Sequence, residues 1–184
     1  YADALSLSPN SSVLWDERAT LNYQVLGQFD TAQTYFERSV GLDPKFAQTY
    51  DYLGAFFATQ ASAETDAARK ADLRKKTIAA LEKSVELNGD PAGKRNTLTA
   101  LAQVYGDSQN YQAAAEQILR MIGLSTENPW QIYRAVANLY QQAGQNDKAR
   151  EYALLWLQNA PVDGALEAKA MLENILTGYE KALK

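Results

Sequence analysis

Apolar residues recur along this chain at the spacing of one helix face. Tyr50, Leu53, Gly54 and Phe57 stand at i, i+3, i+4 and i+7; Leu98, Leu101, Ala102 and Tyr105 repeat the pattern, and Tyr133, Val136, Ala137 and Tyr140 repeat it again. A looser copy, Trp15, Ala19 and Tyr23, precedes them. Each stripe is followed by a second, and the second stripes also echo one another: Phe36-Glu-Arg-Ser-Val-Gly-Leu42, Leu81-Glu-Lys-Ser-Val-Glu-Leu87, Ile118-Leu-Arg-Met-Ile-Gly-Leu124 and Ala153-Leu-Leu-Trp-Leu-Gln-Asn159. Equivalent positions lie 45, 37 and 35 residues apart, whether counted from Phe36, Ser39 or Leu42. A self-similar period of this size predicts helix pairs stacked in series.

The segments between paired stripes carry the matching punctuation. Gly27-Gln-Phe-Asp30, Asp107-Ser-Gln-Asn110 and Gly144-Gln-Asn-Asp147 combine helix-stopping with helix-starting residues, and Asp30 and Asp147 fall where a helix N-terminus favours negative charge. Together these residues resemble the tetratricopeptide repeat family, whose unit of about 34 residues carries W-x2-L-G-x2-Y, then A-x3-F, then Pro. The matching positions are Tyr50/Leu53/Gly54/Phe57, Ala32/Phe36/Ser39/Pro44, Ala114/Ile118/Met121 and Ala149/Ala153/Trp156/Pro161. The resemblance implies an all-α fold, a right-handed α-solenoid of antiparallel helix pairs. The small residues Gly54, Ala102 and Ala137, facing Ala32, Ala114 and Ala149, are where paired backbones would approach closely.

On this reading 1–9 is the end of a repeat cut short. Repeats follow at 13–46, 47–91, 95–128 and 130–163, and a capping helix closes the domain at 164–184. In that helix Leu166, Ala170 and Ile175 are expected to cover the last repeat, with Glu167, Lys169, Glu173, Glu180 and Lys181 facing water. The abrupt start at Tyr1 suggests a bacterial domain taken from a longer protein. The second repeat exceeds the usual length by 11 residues, and the helix-forming stretch 62–76 predicts a second helix lengthened at its N-terminal end, capped by Ser62 or Thr65. Its Arg69, Lys70, Leu73 and Arg74 form a candidate docking arm, suited to self-association.

Composition narrows the chemistry. The chain has no Cys and no His, which removes disulfides, thiolate nucleophiles, Cys/His metal sites and the usual neutral-pH proton carrier. A net charge of −4 disfavours nucleic acid as partner, and no apolar run approaches the roughly 20 residues of a membrane span. No nucleophile elbow, phosphate loop or metal cluster stands out, so neither catalytic residues nor a cofactor are expected. What the family resemblance implies instead is a protein-interaction scaffold that takes a peptide or protein partner in a groove lined by the first helix of each pair. The groove positions are Gln48, Asp51 and Ala55; Asn96, Thr99 and Gln103; and Gln131, Arg134, Asn138 and Gln141, with Glu17 and Leu21 in the first repeat. Only Arg134 and Asn138 match part of the cationic clamp by which some family members grip chaperone C-termini. The alternative role is a tail of a larger membrane-anchored or multi-domain bacterial protein, for example one in cell-surface polysaccharide assembly.

Overall fold

The computed structural model describes residues 2–125 and 128–182. Ten helices account for most of them, and no strand occurs among the described residues. The chain forms two compact units, Tyr1–Thr97 and Leu98–Lys184.

The first unit holds α1 (Ala2–Leu7), the hairpin α2 (Ser12–Gln24) and α3 (Phe29–Leu42), the hairpin α4 (Ala47–Ala63) and α5 (Ala67–Leu87), and the start of α6 (Pro91–Asp107). Ser11 caps α2 by accepting from the Leu14 amide at 3.4 Å, and Gly27 turns the chain at φ 67°. An aromatic cluster fills the interior. Tyr23, Phe36 and Phe56 are buried, with Tyr23–Phe56 ring centroids 5.3 Å apart and Phe36–Phe56 5.4 Å apart. Ala19 and Ala32 are fully buried, which lets α2 and α3 close on these rings.

The second unit holds the remainder of α6, then α7 (Tyr111–Leu119), α8 (Trp130–Gln142), α9 (Asn146–Asn159) and α10 (Val162–Ala182). Gly144 makes the α8–α9 turn at φ 70°, and Gln109 takes the same left-handed conformation at φ 58° between α6 and α7. Val136, Ala137 and Tyr140 of α8 meet Ala149, Ala153 and Trp156 of α9 and Ala168, Met171 and Ile175 of α10.

Several boundaries differ from the sequence expectation. The extra length of the second repeat is shared by both helices: α4 has 17 residues against 13 in α2, and α5 has 21 against 14 in α3. The break falls at Glu64–Asp66, and the cap of α5 is Asp66, which accepts from the Arg69 amide at 2.8 Å, rather than Ser62 or Thr65. Glu64 folds over the same turn and accepts from the amides of Thr65 and Asp66. Helix α6 begins at Pro91, inside the span assigned to repeat 2, with Asp90 accepting from the Gly93 amide at 2.7 Å. Helix α7 stops at Leu119, and Gly123 (φ 87°) lies in the turns that follow. In α10, Leu166 and Ala170 face water. The buried stripe is Gly164, Ala168, Met171 and Ile175, a single i, i+4, i+7, i+11 face. Glu167, Lys169 and Glu173 are exposed, and the side chains of Glu180 and Lys181 lie outside the described residues.

A polar chain crosses the aromatic unit. Asp16 of α2 has no solvent exposure, and its Oδ2 lies 2.6 Å from the Thr49 hydroxyl of α4. Thr49 lies 3.2 Å from the Ser39 hydroxyl of α3, which reaches the Ser12 carbonyl at 3.1 Å. Each hydroxyl has one proton to give. With Asp16 ionised, Thr49 donates to the carboxylate, and Ser39 must then choose between Thr49 and Ser12. With Asp16 protonated, the chain runs in one direction from Asp16 to Thr49 to Ser39 to the Ser12 carbonyl, and all three contacts are made at once. Burial likewise pushes the Asp16 carboxyl above its ordinary range, opposed by the hydrogen bonds from Thr49 and Ser39.

Two outcomes follow. A group whose folded pKa is raised contributes stability that is complete below its unfolded value and lost as pH rises through the folded one. Chemical-denaturation midpoints of wild type and Asp16→Asn, compared between pH 7 and pH 4, will therefore shift in favour of wild type as pH falls. Gly54→Ala will lower stability by about 1–3 kcal/mol despite alanine's helix propensity. The added Cβ would lie 2.5 Å from Cδ2 and 2.7 Å from Cγ of the buried Leu81.

Candidate functional site

The same three positions recur at each junction between successive pairs. Where the first junction has Asp16, Thr49 and Ser39, the second has Asp51, Thr97 and Ser84: Thr97 donates to Asp51 Oδ1 at 2.8 Å and lies 3.4 Å from Ser84. The third carries Thr99, Ile132 and Met121, with no carboxylate. The fourth carries Arg134, Glu167 and Trp156. Arg134 pairs with Glu167 at 3.2 Å, and its guanidinium lies 5.7 Å from the Trp156 ring. Trp156 is buried, with its indole N–H unpartnered beside Gly164. A further junction contact also repeats. Trp15 donates to the Pro9 carbonyl at 2.9 Å, and Tyr50 donates to the Pro44 carbonyl at 3.0 Å.

These junctions sort the residues that sequence reasoning assigned to a groove. Asp51 is half-buried and engaged by Thr97. Arg134 is exposed but holds α10 through Glu167. Gln48 donates to the Tyr52 hydroxyl at 3.0 Å and Gln103 to Asp107 at 2.7 Å, each within its own helix. Asn96, Gln131, Asn138 and Gln141 are exposed, and among the described residues no hydrogen bond engages their side-chain amides. Ala55 and Thr99 are exposed. The first repeat needs a register correction: Asp16 occupies the place of Asp51 and Thr20 that of Ala55, each one residue before the expected Glu17 and Leu21.

Sequence reasoning missed two features. Asp16 was passed over because a lone acidic residue in an amphipathic helix reads as solvated; its 35-residue spacing to Asp51 was the available signal. On α10, Leu166, Lys169, Glu173 and Leu176 continue the row of Gln131, Arg134, Asn138 and Gln141 at the same 35-residue offset. Leu166 is 62% exposed and Leu176 49%.

The arm at 62–76 lies on the long hairpin. Arg69 is exposed, Lys70, Leu73 and Arg74 are half-buried, and Lys70 reaches the Glu64 carbonyl at 3.5 Å. Arg69 and Leu73 border a shallow cavity of about 470 Å³ with Gln60, Glu64 and Asp72. Elsewhere, burial raises the Tyr140 hydroxyl pKa, helped by Tyr152, whose ring stacks on it at 5.6 Å. Among the described residues no acidic cluster could hold a metal ion, and no helix is long and apolar enough to cross a membrane.

Helical hairpins joined edge to edge through repeating junction residues define a helical-repeat protein. The comparisons identify the repeat. The family model described as tetratricopeptide repeat matches residues 21–46, and the similar solved structures belong to proteins of that fold. Residues 21–46 thus carry a tetratricopeptide repeat, and the fold of the chain is that of tetratricopeptide-repeat solenoids. No curated protein matches it in sequence. TTC0263, a thermophilic TPR protein of Thermus thermophilus, is 19% identical with a TM-score of 0.58 over 96% of this chain and 87% of its own. YrrB, a TPR protein with an unusual peptide-binding site, is 14% identical with a TM-score of 0.62 over 97% and 83%. PilF of Pseudomonas aeruginosa is 15% identical with a TM-score of 0.59 over 97% and 79%. At these identities the likeness establishes the fold.

Arg134→Ala will weaken the attachment of α10 by less than about 1 kcal/mol, because the pair is exposed. Amide hydrogen exchange should show faster opening in α10 while exchange in α2–α5 stays unchanged.

Proposed function

We propose that this chain is a non-catalytic scaffold that holds a peptide segment against the exposed row of α8 and α10. The observation that carries this reading is the set of unengaged amides, Gln131, Asn138 and Gln141 of α8, together with the exposed Leu166 and Leu176 at the equivalent positions of α10. Side-chain amides offer both a donor and an acceptor, so they can bracket the backbone of a bound segment whatever its charge. Two exposed leucines add apolar seats that would fix its register. The peptide-binding site named for the structural neighbour YrrB supports a peptide as the ligand class. Arg134 is a positioning residue here: it sets α10 against α8.

The test is selection of peptides from a random displayed library on the intact chain, followed by fluorescence anisotropy of the selected peptide. Asn138→Ala combined with Gln141→Ala is expected to weaken binding at least tenfold with no change in melting temperature. Leu166→Ser should do the same. Binding that is indifferent to all three substitutions would move the site elsewhere.

A further inference from the structure

The long hairpin α4–α5 carries a second feature, separate from the α8–α10 row. Between its helices lies a groove of about 470 Å³ with a floor of Tyr50, Leu53, Phe57 and Ala79 and a rim of Lys76 and Lys83. Ala79 makes the hollow by being short. Both lysines are partly exposed, and each is paired with a carboxylate of its own helix: Lys76 with Asp72 at 3.0 Å, Lys83 with Glu86 at 2.8 Å. Exposed intrahelical pairs of this kind contribute little and are readily exchanged. The Lys76 ammonium also sits 6.0 Å from the Phe57 ring, at the aromatic wall of the groove.

The rim lysine Lys76 ends a cationic stretch of α5, while Lys83 stands between Glu82 and Glu86. Residues 69–76 hold Arg69, Lys70, Arg74, Lys75 and Lys76 against Asp72 alone, in a chain whose net charge is −4. The rim lysines are seven residues apart, about 10 Å along the helix axis at 1.5 Å per residue. That is also the rise between i and i+7 on a partner helix, where the side chain at i+3 or i+4 lies on the same face midway between them.

We propose that this groove docks an acidic partner helix carrying two carboxylates at i and i+7 and a leucine between them. The leucine enters the hollow over Ala79 and Phe57, and the carboxylates take over Lys76 and Lys83 from Asp72 and Glu86. Apolar burial supplies attraction, and the two ion pairs select partner and register.

A fluorescein-labelled helical peptide of the pattern Glu-x-x-Leu-x-x-x-Glu, with alanine and glutamine at the other positions, is titrated with the full chain at low ionic strength. Saturable binding is expected, weakened at least tenfold by Lys76→Glu with Lys83→Glu, and weakened likewise by Ala79→Trp, which fills the hollow from its exposed side. The charge-inverted chain should in turn bind the peptide in which both glutamates are lysine, a rescue that loss of folding could not produce. Failure of the peptide to saturate at millimolar chain, or equal binding by all variants, overturns the proposal. Self-association of the chain that Lys76→Glu with Lys83→Glu abolishes would give the groove to a second copy, and would overturn it as well.

Discussion

The structure turns on a single recurring contact, in which a side chain on the first helix of one pair reaches a side chain on the first helix of the next. Hydrophobic packing holds each hairpin closed, but apolar faces slide, and a sliding junction has no fixed register. A buried carboxyl bridged by hydroxyls has few satisfactory geometries. The strict demand of buried polar groups for partners converts loose apolar contact into a defined step. Buried Asp16 sets that step with Thr49 and Ser39, and half-buried Asp51 repeats it with Thr97 and Ser84; at the α8–α10 junction the exposed Arg134–Glu167 pair, over the Trp156 ring, occupies the same positions.

This constraint also decides which side chains remain for ligands. A charged residue on the outward part of a first helix has two possible employments, a junction or a partner. Asp51 and Arg134, two of the three charges that the sequence places in the groove, both serve junctions. The neutral amides that lack the charge to join a junction stay available. Uncharged amides thus line the exposed row of α8, and cations gather on α5 of the long α4–α5 hairpin, where the two helices share the added length.

Periodicity made the fold legible in advance. Phe36, Ser39 and Leu42 each predict the same intervals, and the hairpins fall where those intervals place them. Helix ends were less legible because several residues compete for each cap. Ser62, Thr65 and Asp66 all suit an N-cap by type, and Asp66 is the one that accepts from the helix amide. The phase of α10 was misread because Leu166 is more hydrophobic than Ala168; the close approach to α9 selects the small residue, and the larger one is left outside. The candidate site was legible only as a row of positions. Whether a residue in that row is engaged depends on its neighbour in the next pair, which lies 33 residues away in the first junction and 46 in the second.

The junction residues differ from step to step, and this gives the chain a grammar. A carboxyl expects a threonine on the next helix, and the arginine of the last pair expects a glutamate. If the segment bearing Arg134 were transposed to stand before the segment bearing Thr49, a guanidinium would be confined where only a hydroxyl answers it. The reverse exchange would set Asp16 against Glu167, two acids in one joint. Repeats built on a common scaffold could in principle be shuffled, duplicated or deleted by recombination without harm to any single hairpin. Here such rearrangements would be punished at the joints, so the order of the pairs is itself inherited information.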